Sequence, residues 1–177
     1  MKDSNNTSLP AITHFDRESW AHPGDALELR LWLRMLTCST LVENRVRSLM
    51  RTSFGTTLPR FDLMAQLANA PRGMKMSDLS RCMMVTNGNI TGITDQLERD
   101  GLVERLKVDT DRRSCLIRLT AKGRQNFRRM SAAYQGWVSE MFQNLPEGSM
   151  ESLFEQLGEF KKASLSAISA DTLPPPH

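Results

Sequence analysis

The sequence is poor in the residues that build catalytic and metal centres. Its three histidines, His14, His22 and His177, lie outside every segment that patterns as folded core, so no histidine-based triad or zinc site can be assembled. No P-loop, G-x-G-x-x-G or H-E-x-x-H occurs. The paired acids Asp109 and Asp111 fall in an exposed turn, where nothing would shift their pKa. These absences argue against an enzyme and against a bound cofactor. The three cysteines, Cys38, Cys82 and Cys115, are far apart and lack C-x-x-C spacing, which suits reduced thiols in a cytoplasmic protein rather than a disulfide framework. No run approaches the roughly 18 apolar residues that cross a bilayer, and the polar start, Met1 to Pro10, has no signal-peptide core.

What is present is an ordinary globular composition with an uneven distribution of charge. The apolar fraction is 40% and the charged fraction 24%, and 177 residues suffice for one well-buried domain. Between Arg60 and Arg129 there are 14 Lys and Arg against 8 Asp and Glu, while the remainder of the chain holds 9 basic and 12 acidic residues. A basic middle is an electrostatic footprint for nucleic acid, though a solvated surface accounts for it equally well.

Periodicity divides the chain into five parts. Residues 1–24 read as a flexible arm with a short helix around Asp16 to His22. Residues 25–56 hold a helix, Asp25 to Ser53, apolar around most of its circumference from Leu27 to Leu36, which pairing with a second copy would cover. Residues 57–120 carry three short helices and a β-hairpin. The helices run from Arg60 to Ala70, from Ser77 to Met84, and from a Thr86 cap to Asp100, where Gly101 stops the last. The hairpin strands are Leu102 to Val108 and Ser114 to Thr120, around a polar turn from Asp109 to Arg113. Residues 121–170 form two further helices broken at Pro146 to Gly148, and 171–177 form a disordered proline tail. The expected fold is mainly α with a small β-hairpin: a winged helix-turn-helix reading head between N- and C-terminal dimerisation helices.

The third short helix narrows the function. With Ile90, Ile93 and Leu97 facing inward, Gly88, Thr91, Gly92, Asp95 and Arg99 face outward, and Asn89 and Gln96 lie on one flank. Asn, Gly and Thr are weak helix formers, so a face chosen for stability would not carry them. Small residues let a helix approach base edges, Asn or Gln bonds adenine, and Thr meets a thymine methyl. Thr86, Asn87, Gly88, Asn89, Thr91, Gly92, Gln96 and Arg99 are therefore candidate DNA contacts. Arg112 and Arg113 at the hairpin tip can reach phosphate or a minor groove, with Asp111 orienting an arginine. Solvated surface is the alternative for each of these.

From Leu58 to Thr120 the chain resembles the MarR (multiple antibiotic resistance regulator) family. The resemblance is carried by Leu79-Ser80, by Thr86 through Thr91, by Leu97-Glu98-Arg99-Asp100-Gly101-Leu102-Val103-Glu104-Arg105, and by Asp111-Arg112-Arg113 leading to Leu119-Thr120 and Gly123. It implies a homodimer with interleaved terminal helices, one reading head per half-site of a palindromic operator, and release of DNA when a small amphipathic or aromatic acid binds between dimer helices and reading heads. Many relatives carry Arg after the threonine that aligns with Thr91; here it is Gly92, which alters the base-contact set.

For an effector, Trp32, Met35 and Cys38 lie at spacings of three on the first helix, Met64 lies on the next, and Arg34 and Arg60 can pair a carboxylate. Core packing for Trp32 and Met64, and ion pairs with Glu28 or Asp62 for the arginines, compete with that reading. The runs Arg30 to Arg34 and Thr57 to Asp62 resemble a branch linked to aromatic-compound catabolism, some members of which sense aromatic acids or their CoA thioesters. A thiol-based redox sensor using Cys38 is the alternative. The reactive cysteine of such sensors lies near the helix start with tyrosines close by, whereas Cys38 is mid-helix and Tyr134 is the single tyrosine, so a buried, inert thiol is expected. A protein-binding winged helix would leave the polar, Gly-rich face unexplained.

Overall fold

The computed structural model describes residues 17–84, 86–108 and 111–171, with backbone alone at 87, 107–108, 111–114 and 169–171. The chain divides into two compact units, 1–130 and 131–177. The tail after residue 171 and the first sixteen residues of the expected arm lie outside the described residues.

In the first unit a single 3-10 turn, Arg17–Trp20, precedes α1, Leu27–Phe54. No Gly or Pro interrupts α1 until Gly55, which takes the left-handed conformation at φ 60° and donates its N–H to the Arg51 carbonyl. Such a cap satisfies carbonyls that the helix end leaves open. Only Leu33, Val46 and Met50 of α1 are buried, while Leu27, Leu29, Leu31, Trp32 and Leu41 remain exposed.

The reading head follows as α2 (Leu58–Ala68), β1 (Met74–Lys75), α3 (Met76–Met83), α4 (Asn87–Arg99), β2 (Val103–Val108) and β3 (Asp111–Leu119). Pro59 sits in the first turn of α2, where a missing N–H removes no helical bond. Leu63, Met64 and Leu67 of α2 meet Leu79, Ile90, Leu97, Val103 and Ile117 in a core where all eight are at most 2% exposed. Each such side chain contributes about 1.5–3 kcal/mol by leaving water. Phe61 of α2 stacks on Phe127 with ring centroids 5.5 Å apart.

The expected hairpin is the larger part of a three-stranded antiparallel sheet of order β1-β3-β2. β1 pairs Met74 with Ile117 and Lys75 with Leu116. It escapes sequence analysis because a two-residue strand has no period of its own. β3 also begins earlier than expected. After Lys107↔Cys115 the register shifts and Val108 pairs with Asp111, so Asp111, Arg112 and Arg113 belong to the strand instead of the turn. That pairing leaves only Asp109 and Thr110, outside the described residues, between the strands.

Helix α5, Ala121–Phe142, runs from the first unit into the second, where α6, Ser149–Asp171, follows. Between them Gly148 turns the chain at φ 73°. On α6, Met150, Leu153, Phe154, Leu157, Phe160, Leu165 and Ile168 are exposed.

Candidate nucleic-acid interface

The geometry of α4 starts with its cap. Thr86 is extended (φ −67°, ψ 152°) and its side chain accepts a hydrogen bond from the Asn89 N–H, which occupies one of the helix's open donors. Ile90, Thr94 and Leu97 are fully buried, and Ile93, expected among them, is half-buried. Thr94 was not expected inside. Its hydroxyl donates to the Ile90 carbonyl at 2.8 Å, which is how a threonine is tolerated in an apolar helix face.

Gly88, Asn89, Thr91, Gly92, Gln96 and Arg99 all face solvent, as does the capping Thr86. A Cβ built on Gly88 or Gly92 would meet nothing within 4 Å. Packing within the chain therefore does not require glycine at either position, although each costs about 1 kcal/mol relative to alanine in a helix. The Arg99 Nε donates to the Asp95 carbonyl. Asn87 contributes backbone to the first turn.

Charged side chains hold α4 from both sides. Arg105 of β2 donates to Glu98 at 2.5 Å and also to Asp95, so Asp95 faces outward only as far as the strand beside it. At the end of α4, Arg60 of α2 forms an ion pair with Asp100, and Lys122 Nζ donates to the Asp100 carbonyl at 2.8 Å. The two cations also offset the negative end of the helix dipole. Gly101 follows at φ 70°, and its carbonyl accepts from the Thr120 hydroxyl at 2.7 Å. That same hydroxyl accepts from the Gly123 N–H at 3.0 Å, capping α5.

The wing arginines Arg112 and Arg113, with Asp111, occupy the β3 segment between the Lys107↔Cys115 and Val108↔Asp111 pairings. The strand thus carries two consecutive basic residues in an irregular stretch of the ladder.

The candidate effector residues are not brought to one cavity. Met64 is 1% exposed, within the core. Arg60 pairs with Asp100 rather than the expected Asp62, and Arg34 with Glu18 rather than Glu28. Trp32 is 50% exposed, so core packing does not account for it in this chain. Met35 is half-buried. Cys38 is exposed, which corrects the expectation of a buried thiol: mid-helix position alone does not cover a side chain when the helix face is open. A separate cavity of about 230 Å³ is lined by Leu67, Ala68, Pro71, Leu119, Arg124, Phe127 and Arg128. It includes none of the six candidates.

Asp62 carries the one strongly displaced carboxyl among the described residues. Its pKa is raised to about 6 by burial and by the charge of Glu43, against the opposing effect of Arg47. The folded chain therefore binds this proton more tightly than the unfolded chain. Stability falls as pH rises from about 4 to about 6 and stays lower above that. An unscreened displacement of this size is about 3 kcal/mol; partial contact with water reduces it to about 1 kcal/mol. Asp62→Asn is expected to unfold at higher denaturant concentration than the parent at pH 7.5 and to lose that advantage at pH 4. Urea melts at the two pH values check this, and a parent more stable at pH 7.5 than Asp62→Asn counts against the assignment.

Three comparisons bear on this arrangement. Residues 56–115 match the model of the MarR family. The transcriptional activatory protein BadR of Rhodopseudomonas palustris is 31% identical over 97 residues, 54% of this chain and 55% of that protein. The match thus spans about half the length of BadR. The crystal structure of a MarR family transcriptional regulator from Silicibacter pomeroyi is 30% identical, with a TM-score of 0.66 over 77% of this chain and 94% of that one. CouR of Rhodococcus jostii, bound to p-coumaroyl-CoA, shares the fold at 20% identity and a TM-score of 0.64, over 77% of this chain and 94% of its own. Among the described residues no helix is long and apolar enough to cross a membrane. A capped, solvent-facing α4 braced by a winged sheet, on a chain matched in sequence and fold by these regulators, places it in the MarR family, as a transcription regulator and not an enzyme.

Proposed function

We propose that the protein is a homodimeric repressor that binds a palindromic operator and releases it on binding a small aromatic acid or its CoA thioester. The observation that carries the DNA-reading part is the exposed face of α4, where Gly88 and Gly92 stand in open space. A helix that gives up stability without a packing reason gains from close approach to another surface, and base edges in a major groove suit Asn89, Thr91 and Gln96. Arg112 and Arg113 steady the head on the backbone, with Asp111 orienting one of them. The exposed apolar residues of α1, and separately those of α6, supply the surface that a second copy would cover.

The effector part rests on CouR, whose ligand is an aromatic CoA thioester, and on the α1 residues Trp32, Arg34, Met35 and Cys38; Arg60, paired with Asp100, and Met64, within the core, would have to be released to join them. The name of BadR, an activator, marks the sign of regulation as the point on which relatives differ. The exposure of Cys38 favours a second reading, a redox-sensing repressor. Peroxide that abolishes operator binding in the parent and spares Cys38→Ser selects it.

Titration of a duplex carrying the native upstream sequence at several salt concentrations tests the DNA-reading part. Affinity is expected to rise steeply as salt falls. Asn89→Ala is expected to lose about 1–3 kcal/mol at one base position and to relax sequence choice there. Arg113→Ala should reduce the salt slope by roughly one. Equal loss on every sequence would make Asn89 a phosphate contact, and an unchanged slope would remove Arg113 from the interface.

A further inference from the structure

We propose that Met84, in the turn between α3 and α4, is a further DNA contact whose side chain packs on a thymine methyl at the rim of the groove that α4 reads. The inference rests on the DNA-reading role of α4 and extends it to a residue outside the helix.

Met84 is held in a conformation that its side chain does not favour. Its backbone is left-handed, at φ 53° and ψ 37°, and it is the one non-glycine residue with positive φ among the described residues. An L side chain is strained there and glycine is not; this chain uses glycine for the equivalent cap at the end of α1. The strain is not offset by burial. Met84 is 94% exposed, more than any other large apolar residue described. A strained residue whose side chain packs on nothing in its own chain points to a contact outside it.

The position of the turn selects DNA as that contact. Met84 precedes the capping Thr86 by two residues and Gly88 by four, so its Cα lies within about 14 Å of the first outward glycine. Three residues earlier, the Arg81 side chain is 80% exposed and forms a loose 3.8 Å ion pair with Asp78, which a nearby phosphate could replace. The other large exposed apolar side chains of the first unit lie on the 3-10 turn and α1. Among the described residues Met84 is the one large exposed apolar side chain of the reading head, so it does not extend the apolar stripe offered to a second copy. A flexible thioether chain adapts to an irregular apolar contact, and the thymine methyl is the one apolar group that a base presents in the major groove.

The experiment uses the full-length protein and a duplex of its native upstream sequence. Met84→Ala keeps the backbone strain and removes the contact, whereas Met84→Gly removes both. Both variants are expected to bind on the order of tenfold more weakly, as expected for losing most of one buried apolar side chain. Their salt slopes should be unchanged, because no phosphate charge is involved. Met84→Gly alone should melt at a higher temperature. Replacing thymines one at a time with deoxyuridine removes a single methyl. In the parent one position per half-site should lose about fourfold, and in Met84→Ala that position should lose nothing.

Parental affinity in both variants overturns the proposal while leaving the role of α4 standing. A loss without any Met84-dependent thymine overturns it as well, as does a loss traced to dissociation of the dimer. A parent protein that ignores the duplex in dilute salt overturns both this contact and the reading on which it rests.

Discussion

Gly123→Ala is expected to destabilise the reading head by about 3 kcal/mol or more, at the upper end of what overpacking costs. A Cβ at this position would lie 1.9 Å from the Leu102 carbonyl oxygen and 2.9 Å from its carbon. Both are backbone atoms, so no rotamer change relieves the clash. Nor can Leu102 retreat easily: its N–H donates to the Leu97 carbonyl and its own carbonyl accepts from the Thr120 N–H. The start of α5 must instead lift away, breaking the Thr120 cap and the Lys122 bond to α4. Thermal or urea melts of the variant check this, and a stability within 1 kcal/mol of the parent would show that α5 shifts more freely than these bonds imply. The Leu-Thr-x-x-Gly pattern thus has a physical meaning: the threonine caps the helix and the glycine lets its first turn sit on the strand entry.

The second large effect concerns the far end of the recognition helix. Asp100→Ala is expected to cost about 2 kcal/mol, and more than Arg60→Leu does. Breaking a fully buried pair from one side costs about 3–5 kcal/mol, and the figure is reduced here because the Asp100 side chain is 50% exposed. The asymmetry follows from burial. Arg60 is 17% exposed and its Nε is already buried without a hydrogen-bond partner. Removing the acid therefore strands a cation that water scarcely reaches, whereas removing the cation leaves a carboxylate that water can solvate. The double variant should recover part of the loss. Denaturant melts of all four proteins check this, and equal losses in the two single variants would sink the argument.

Much of this architecture was legible because it is local. The limits of α4 follow from Thr86 and Gly101, the end of α1 from Gly55, and the first turn of α2 from Pro59, since caps and breakers act within a few residues. The features that escaped are those produced by distant neighbours. β1 exists because β3 lies beside it, and neither Met74 nor Lys75 advertises a strand. Arg60 and Asp100 are 40 residues apart and Arg34 and Glu18 are 16 apart, whereas sequence proximity favours the nearer acids Asp62 and Glu28. Thr94 reads as polar, yet its hydroxyl is satisfied within its own helix. Helical pitch alone determines which residues of α4 face outward, apart from Asp95, which a distant Arg105 draws toward the strand. Spacing on α1 places Trp32, Met35 and Cys38 along one helix, but spacing does not bring two helices together.

Because β3 lies between β1 and β2, its two halves differ mechanically. Around Leu116 and Ile117 it is stitched on both edges, to Lys75 and Met74 on one side and to Leu106 and Arg105 on the other. Toward Asp111 it has one neighbour only, beyond an interruption in the ladder. A pull on the finger that bears Arg112 and Arg113 is therefore absorbed in the single-edged half. The root, which β1 joins to α3, is held on two edges, so a load on the described end of the strand meets the weaker ladder first.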